Sequence, residues 1–217
     1  ADGAVRIGDS SAGAPTNYTK WSDGYQEMAG TARVWKTHGL TPEDVGKPAV
    51  NPPAAGEYQG FQFDRFDRGV EESVYYMWQV PADFAASNAS VRVQFKFLVD
   101  HPPLLPPPLG TDEEVILGFE YKKVSDGDVF DFTVGTAGAG ILETIAGGEG
   151  AYRWHVTDTG VCATAGWAPG DVVLFRFYRD ATNVLDTYDN EGIAADNDVW
   201  LATYHLEYPF DKLGGAS

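Results

Sequence analysis

The chain holds a single cysteine, Cys162, so no disulfide can form within it and cysteine pairing says nothing about its compartment. No apolar run approaches the ~20 residues that a membrane-spanning helix needs. The first residues, ADGAVRIGDS, lack the charged and apolar regions of a signal peptide. An initial Ala fits removal of a starting Met and suggests synthesis and folding in a cytoplasm. Basic residues are few, 15 Lys and Arg against 32 Asp and Glu, for a net charge of −17. Such a surface repels phosphate backbones, which argues against direct nucleic-acid binding and for a soluble protein drawn to basic partners.

Catalytic signatures are equally scarce. None of His38, His101, His155 and His205 has a His or Cys neighbour at metal spacing, so there is no zinc motif. There is no G-x-S-x-G elbow and no phosphate loop. GTAGAG at positions 135–140 lacks the Lys-Ser/Thr ending and the helix that would follow. No repeat of 20 to 50 residues is visible, which argues against a propeller or solenoid. No cofactor is implied, and Cys162 reads as a small buried hydrophobe.

What the chain does have is 13% aromatic residues with 25 Gly and 13 Pro, the mark of short strands joined by turns. Residues 1–54 are rich in Gly, Ala, Pro and Ser and read as an extended arm that orders against its own domain or a neighbour. Trp21, Tyr25, Trp35 and Tyr58, in and beside it, are the candidate partner contacts. From residue 55 to 217 strand signals dominate. VRVQFKFLV alternates cleanly, with Val91, Val93, Phe95, Phe97 and Val99 on one face. GEYQGFQFDRF, ESVYYMWQVP, EEVILGFEYKKV, AYRWHVTDTGVCA, DVVLFRFYRD and DVWLATYHLEY also read as strands. In the last of these, Trp200, Ala202, Tyr204, Leu206 and Tyr208 share a side. Only DEEVILG and AGILETIAGG suggest short helices. HPPLLPPPLG, with five prolines in ten residues, predicts a stiff polyproline-like connection. Roughly eight antiparallel strands with long loops predict an all-β, two-sheet sandwich of jelly-roll kind with an N-terminal arm.

Three groups of side chains carry the candidate chemistry. The acidic stretch from Asp180 to Asp198 misses the EF-hand spacing, because Gly192 is seventh from Asp186 rather than sixth. Asp186, Asp189, Asp196 and Asp198 remain candidates for an irregular calcium site, against a plain reading as a solvated connection between strands. Glu120, Glu143, Asp171 and Glu207 are candidates for a paired-carboxylate glycosidase. Tyr76, Trp78 and Trp154 are candidates for stacking on sugar rings, against core packing or a subunit interface.

ESVYYMWQVPADFAASNASVRVQFKFLV, EEVILGFEYKKVSDGDVFD and GDVVLFRFYRDATNVLDTYDNEGIAADNDVWLATYHLEYP together resemble a group of tailed-phage virion proteins, over about residues 58 to 212. The resemblance rests on strand hydrophobics and turn residues. It implies a jelly-roll or related sandwich serving as a capsid decoration or cement protein, or as a head- or tail-fibre domain. It also implies location in the virion, assembly in the host cytoplasm, the major capsid protein or other virion proteins as partners, and no enzyme activity. A homotrimer or homodimer would suit such a role. A carbohydrate-binding module is the alternative, and a glycoside hydrolase a further one.

Overall fold

The computed structural model describes residues 5–8, 18–22, 25–29, 34–84, 90–100, 112–132, 135–138, 140–146, 152–188, 198–210 and 212–213, those before residue 35 and after 210 by their backbone. Among them are sixteen strands and no helix. The first eight are β1 (Val5–Gly8), β2 (Tyr18–Ser22), β3 (Tyr25–Ala29), β4 (Val34–Leu40), β5 (Ala54–Tyr58), β6 (Phe61–Phe66), β7 (Glu71–Gln79) and β8 (Ser90–Val99). The remainder are β9 (Glu113–Val124), β10 (Thr136–Ala137), β11 (Ile141–Ile145), β12 (Trp154–Val156), β13 (Gly160–Ala163), β14 (Val172–Asp180), β15 (Val199–Phe210) and β16 (Lys212–Leu213).

Two large sheets carry the body. Sheet I has the order β10-β9-β14-β7 with β11 also on β9, and sheet II the order β12-β8-β15-β6-β5 with β13 also on β8 and β4 on β15. All pairings are antiparallel. Along the chain, β6 lies in sheet II, β7 in I, β8 in II, β9 and β11 in I, β13 in II, β14 in I and β15 in II. The layers β7-β14-β9-β11 and β6-β15-β8-β13 are thus filled in the double Greek-key order of a jelly roll. The expected fold class is the observed one. The two segments that suggested short helices are instead β9 and β11, paired from Ile141↔Leu117 to Ile145↔Glu113. Val115, Ile116 and Ile145 are β-branched residues buried by that pairing, and tertiary burial outweighs a weak local helix preference.

The core forms where the inner faces meet. Val91, Val93, Phe95, Phe97 and Val99 of β8 are fully buried, as their alternation predicts. Across from them stand Val115, Leu117 and Phe119 of β9 and Val173, Phe175 and Phe177 of β14. Phe177 of sheet I meets Phe95 of sheet II edge-on at 5.9 Å and stacks on Tyr204 at 5.1 Å, locking the layers together. Cys162 is buried in the same core, as its sequence context predicts.

Residues 34–54, placed by sequence in the arm, belong to this body. β4 pairs with β15 from Tyr204↔Leu40 to Phe210↔Val34. Gly46 bridges the edge of β7 through two backbone hydrogen bonds with Tyr75, at 2.7 and 2.8 Å. Leu40 and Val45 enter the core, and Lys47 reaches the buried Asp64 carboxylate at 2.7 Å. Low periodicity concealed these contacts because each is made by a single residue. Before β4, the strands β1, β2 and β3 form a small separate sheet with β16, in the order β1-β2-β3-β16. Its β3–β16 pairing, Gln26↔Leu213 and Glu27↔Lys212, joins a strand that precedes the body to one that follows it. The segments entering and leaving the body therefore run as paired strands.

Candidate functional site

The outer face of sheet II carries a second aromatic cluster, and a reversal of facing along β15 creates it. Between Leu201 and Thr203 the register of β15 on β8 shifts by one residue, as at a β-bulge. Beyond the bulge Tyr204, Leu206 and Tyr208 face the core. Before it Val199 and Leu201 do, so Trp200 and Ala202 point outward. The single side expected for Trp200, Ala202, Tyr204, Leu206 and Tyr208 is thus split. Outside the sheet, Trp200 packs with Phe63 of β6 and Leu98 of β8, joined by Tyr58, Tyr152 and Ala202.

Local geometry holds this cluster in place. Gln59 and Gly60 form the β5–β6 turn with φ of 52° and 85°, the left-handed pair of a two-residue hairpin loop. That turn sets Tyr58 opposite Phe61. Tyr152, itself at φ 58°, stacks on Tyr58 at 4.0 Å between ring centres and meets Trp200 edge-on at 5.9 Å. Arg65 lies over the Trp200 ring at 5.1 Å while its Nε donates to Asp198 at 2.8 Å. Gly56 leaves room for that arrangement, since a Cβ there would stand 2.6 Å from the Arg65 side chain.

Tyr58, Gln59, Gly60, Phe63, Leu98 and Tyr152 border a groove of about 570 Å³, within the size range of ligand sites. Phe61 and Trp154 stand 69% and 53% exposed along it. Gln59, Gln62, Thr41 and Thr203 add neutral polar groups, and Glu43 is the one charged side chain among the described lining residues. The Thr203 hydroxyl, shielded from bulk water at the bulge, has no hydrogen-bond partner among the described residues. A second, apolar groove of about 430 Å³ lies on the outer face of sheet I, between Met77, Tyr75 and Leu174 and the loop carrying Phe130 and Phe132.

The residues singled out by sequence separate sharply. Trp154 belongs to the aromatic groove, as does Tyr58, which sequence placed among partner contacts. Trp78 does not: it is 3% exposed in the core, against Phe84, Trp167, Phe175 and Tyr208. Tyr76 faces the same side, and its hydroxyl is 2.7 Å from His38 Nε2. A sugar-stacking role for Trp78 is thereby corrected, while Tyr76 is half-buried. Trp35 lies under the Arg92 guanidinium at 3.8 Å, and Trp21 and Tyr25 sit on β2 and β3, their side chains outside the described residues. Phe61, Phe63, Tyr152 and Trp200 were not singled out. The glycine within GEYQGFQF, which breaks one apparent strand into a hairpin, was the usable signal.

The acids are occupied elsewhere. Asp186 takes both Nε and Nη2 of the fully buried Arg179, at 3.1 and 2.8 Å, and accepts from the Ile116 amide. Arg179 also donates to the Phe66 and Tyr188 carbonyls. Asp198 is buried against Arg65, and loss of water pushes its carboxyl up to about 6 despite that cation. Asp180 accepts from Thr182 and Asn183 in the turn that follows β14. Two of the four calcium candidates are therefore ligands of guanidinium groups, and Asp189 and Asp196 lie outside the described residues. So does the proline run at 101–110. Among the described residues no cluster of three metal-ligating side chains occurs.

The glycosidase candidates do not converge. Glu120 is on the outer face of sheet I, bonded to Arg176 at 3.2 Å, while Glu207 is on the outer face of sheet II. Two packed sheets stand about 10 Å apart, so these carboxyls lie further apart than the ~5–9.5 Å that glycosidic cleavage requires. Asp171 pairs with Lys123 at 2.6 Å. Glu143 is on β11, opposite Val115. His155 is buried in a stack with Phe97, and the His205 imidazole is held below its usual range by burial and by Lys96. No protein-family model and no curated protein matches the chain.

Proposed function

We propose that the chain is a non-enzymatic structural protein of a tailed-phage virion, most simply a capsid decoration or cement protein on the outer shell. The observation that carries this reading is the small separate sheet in which β1, β2 and β3 from one flanking segment pair with β16 from the other. A rigid sandwich joined to paired strands from both flanking segments suits a module that docks by strands and displays a body. Arms of this kind add contact area without a large preformed interface, and many copies make modest contacts effective. Two of the four glycosidase candidates are held in ion pairs, Glu120 with Arg176 and Asp171 with Lys123. The partners are the major capsid protein or other virion proteins, and a homotrimer or homodimer at a symmetry position fits that setting. The test is removal of residues 1–33, which spares every strand of the body. The shortened chain should keep its melting temperature and fail to co-sediment with particles, and retained attachment would overturn the proposal. A fibre or receptor-binding role is the second reading, favoured by the exposed aromatic groove on sheet II.

A further inference from the structure

We infer that the groove bordered by Tyr58, Phe61, Tyr152, Trp154 and Thr203 binds a neutral glycan. This deepens the second reading by naming a ligand class, and it is independent of how the terminal strands attach. A pyranose presents apolar C–H faces and a rim of hydroxyls. It is bound by aromatic rings left bare to solvent with uncharged donors and acceptors beside them. Phe61 and Trp154 are the bare rings, 69% and 53% exposed in a groove of about 570 Å³. Gln59, Gln62 and Thr41 supply the uncharged groups.

The neighbouring Tyr58 and Tyr152 rings are fixed before any ligand arrives. Tyr152 is clamped between Tyr58 and Trp200, and Trp200 is held by Arg65. Preset aromatics bind without a large ordering cost. Two left-handed non-glycine residues, Gln59 and Tyr152, flank the groove, and such backbone strain tends to collect at binding sites. Charge selects the occupant. With Glu43 as the one charged side chain among the described lining residues and a chain at −17, an anionic polymer is repelled. A neutral glycan meets no such barrier.

Affinity electrophoresis tests this directly, with the full chain run in native gels containing dextran, mannan, galactomannan or xyloglucan. At least one polysaccharide should retard the protein. Trp154→Ala and Phe61→Ala should each weaken that retardation about tenfold, as loss of a central aromatic contact does. Met77→Ala, on the opposite outer face, should leave it unchanged. Both groove residues are largely exposed, so unchanged melting temperatures will show that the variants fold. Absence of retardation in every gel, or retardation indifferent to Trp154→Ala, would overturn the inference. So would a concentration-dependent dimer, seen by light scattering and abolished by Trp154→Ala, since the occupant would then be a second copy. A chain that binds no polysaccharide yet still co-sediments with particles sinks this inference alone.

Discussion

Glu72 offers the sharpest physical test of the fold. Its side chain is buried at the start of β7, and Oε2 accepts the Asp67 amide at 2.6 Å. Burial dominates its titration; the Asp67 amide and, less, the Arg179 guanidinium offset only part, and Asp67 and Asp198 add like charge, so the carboxyl is pushed up to about 7. In an unfolded chain it would titrate near 4.3. The folded state therefore holds a proton that the unfolded state has released throughout that window. A raised folded value means stability is fully present below the unfolded value and is lost as pH rises to about 7. The gap between the folded and unfolded values corresponds to roughly 3–4 kcal/mol. Glu72→Gln keeps the group neutral at every pH. The variant should match the parent near pH 4 and exceed it by up to roughly 3–4 kcal/mol at pH 8. Urea unfolding followed by tryptophan fluorescence between pH 4 and 8.5 measures this. Asp198 and Asp64, also raised by burial, slope the same way, so the difference between parent and variant isolates Glu72. A variant equally destabilised at all pH values would refute the reasoning.

Three further outcomes follow from the same contacts. Asp186→Ala leaves the buried Arg179 charge uncompensated and should cost about 3–5 kcal/mol in urea unfolding, whereas an Asp186 serving calcium would show a melting temperature sensitive to chelator in the parent. Trp78→Ala should cost about 3–5 kcal/mol as a core cavity, while Trp154→Ala should stay within about 0.5 kcal/mol; calorimetry compares them. The Cys162 thiol, buried and pushed well above its usual range, should react with a disulfide reagent only after denaturant is added.

The sandwich was legible because β8 and β14 are buried on one face and wet on the other, and period-two alternation records that directly. Alternation could not record the bulge between Leu201 and Thr203, which inserts one residue and reverses the facing of Trp200. The outer aromatic cluster was hidden for that reason. Trp78 and Trp154 look alike in sequence, each in an aromatic strand, and differ only in what packs above them. The loop through Gly46 and Lys47 is held by isolated contacts to Tyr75 and Asp64, which carry no periodic signal. Ion pairs such as Arg65 with Asp198 join residues 133 apart, a distance at which sequence pattern is silent.

The central claim is that this jelly roll works as a structural component of a particle. Quantitative mass spectrometry of purified intact virions measures that most directly, by the number of copies per particle. Decoration of a shell predicts hundreds of copies that remain through density-gradient purification, and a few copies would place the chain on a fibre instead. Its absence from purified particles would contradict the account.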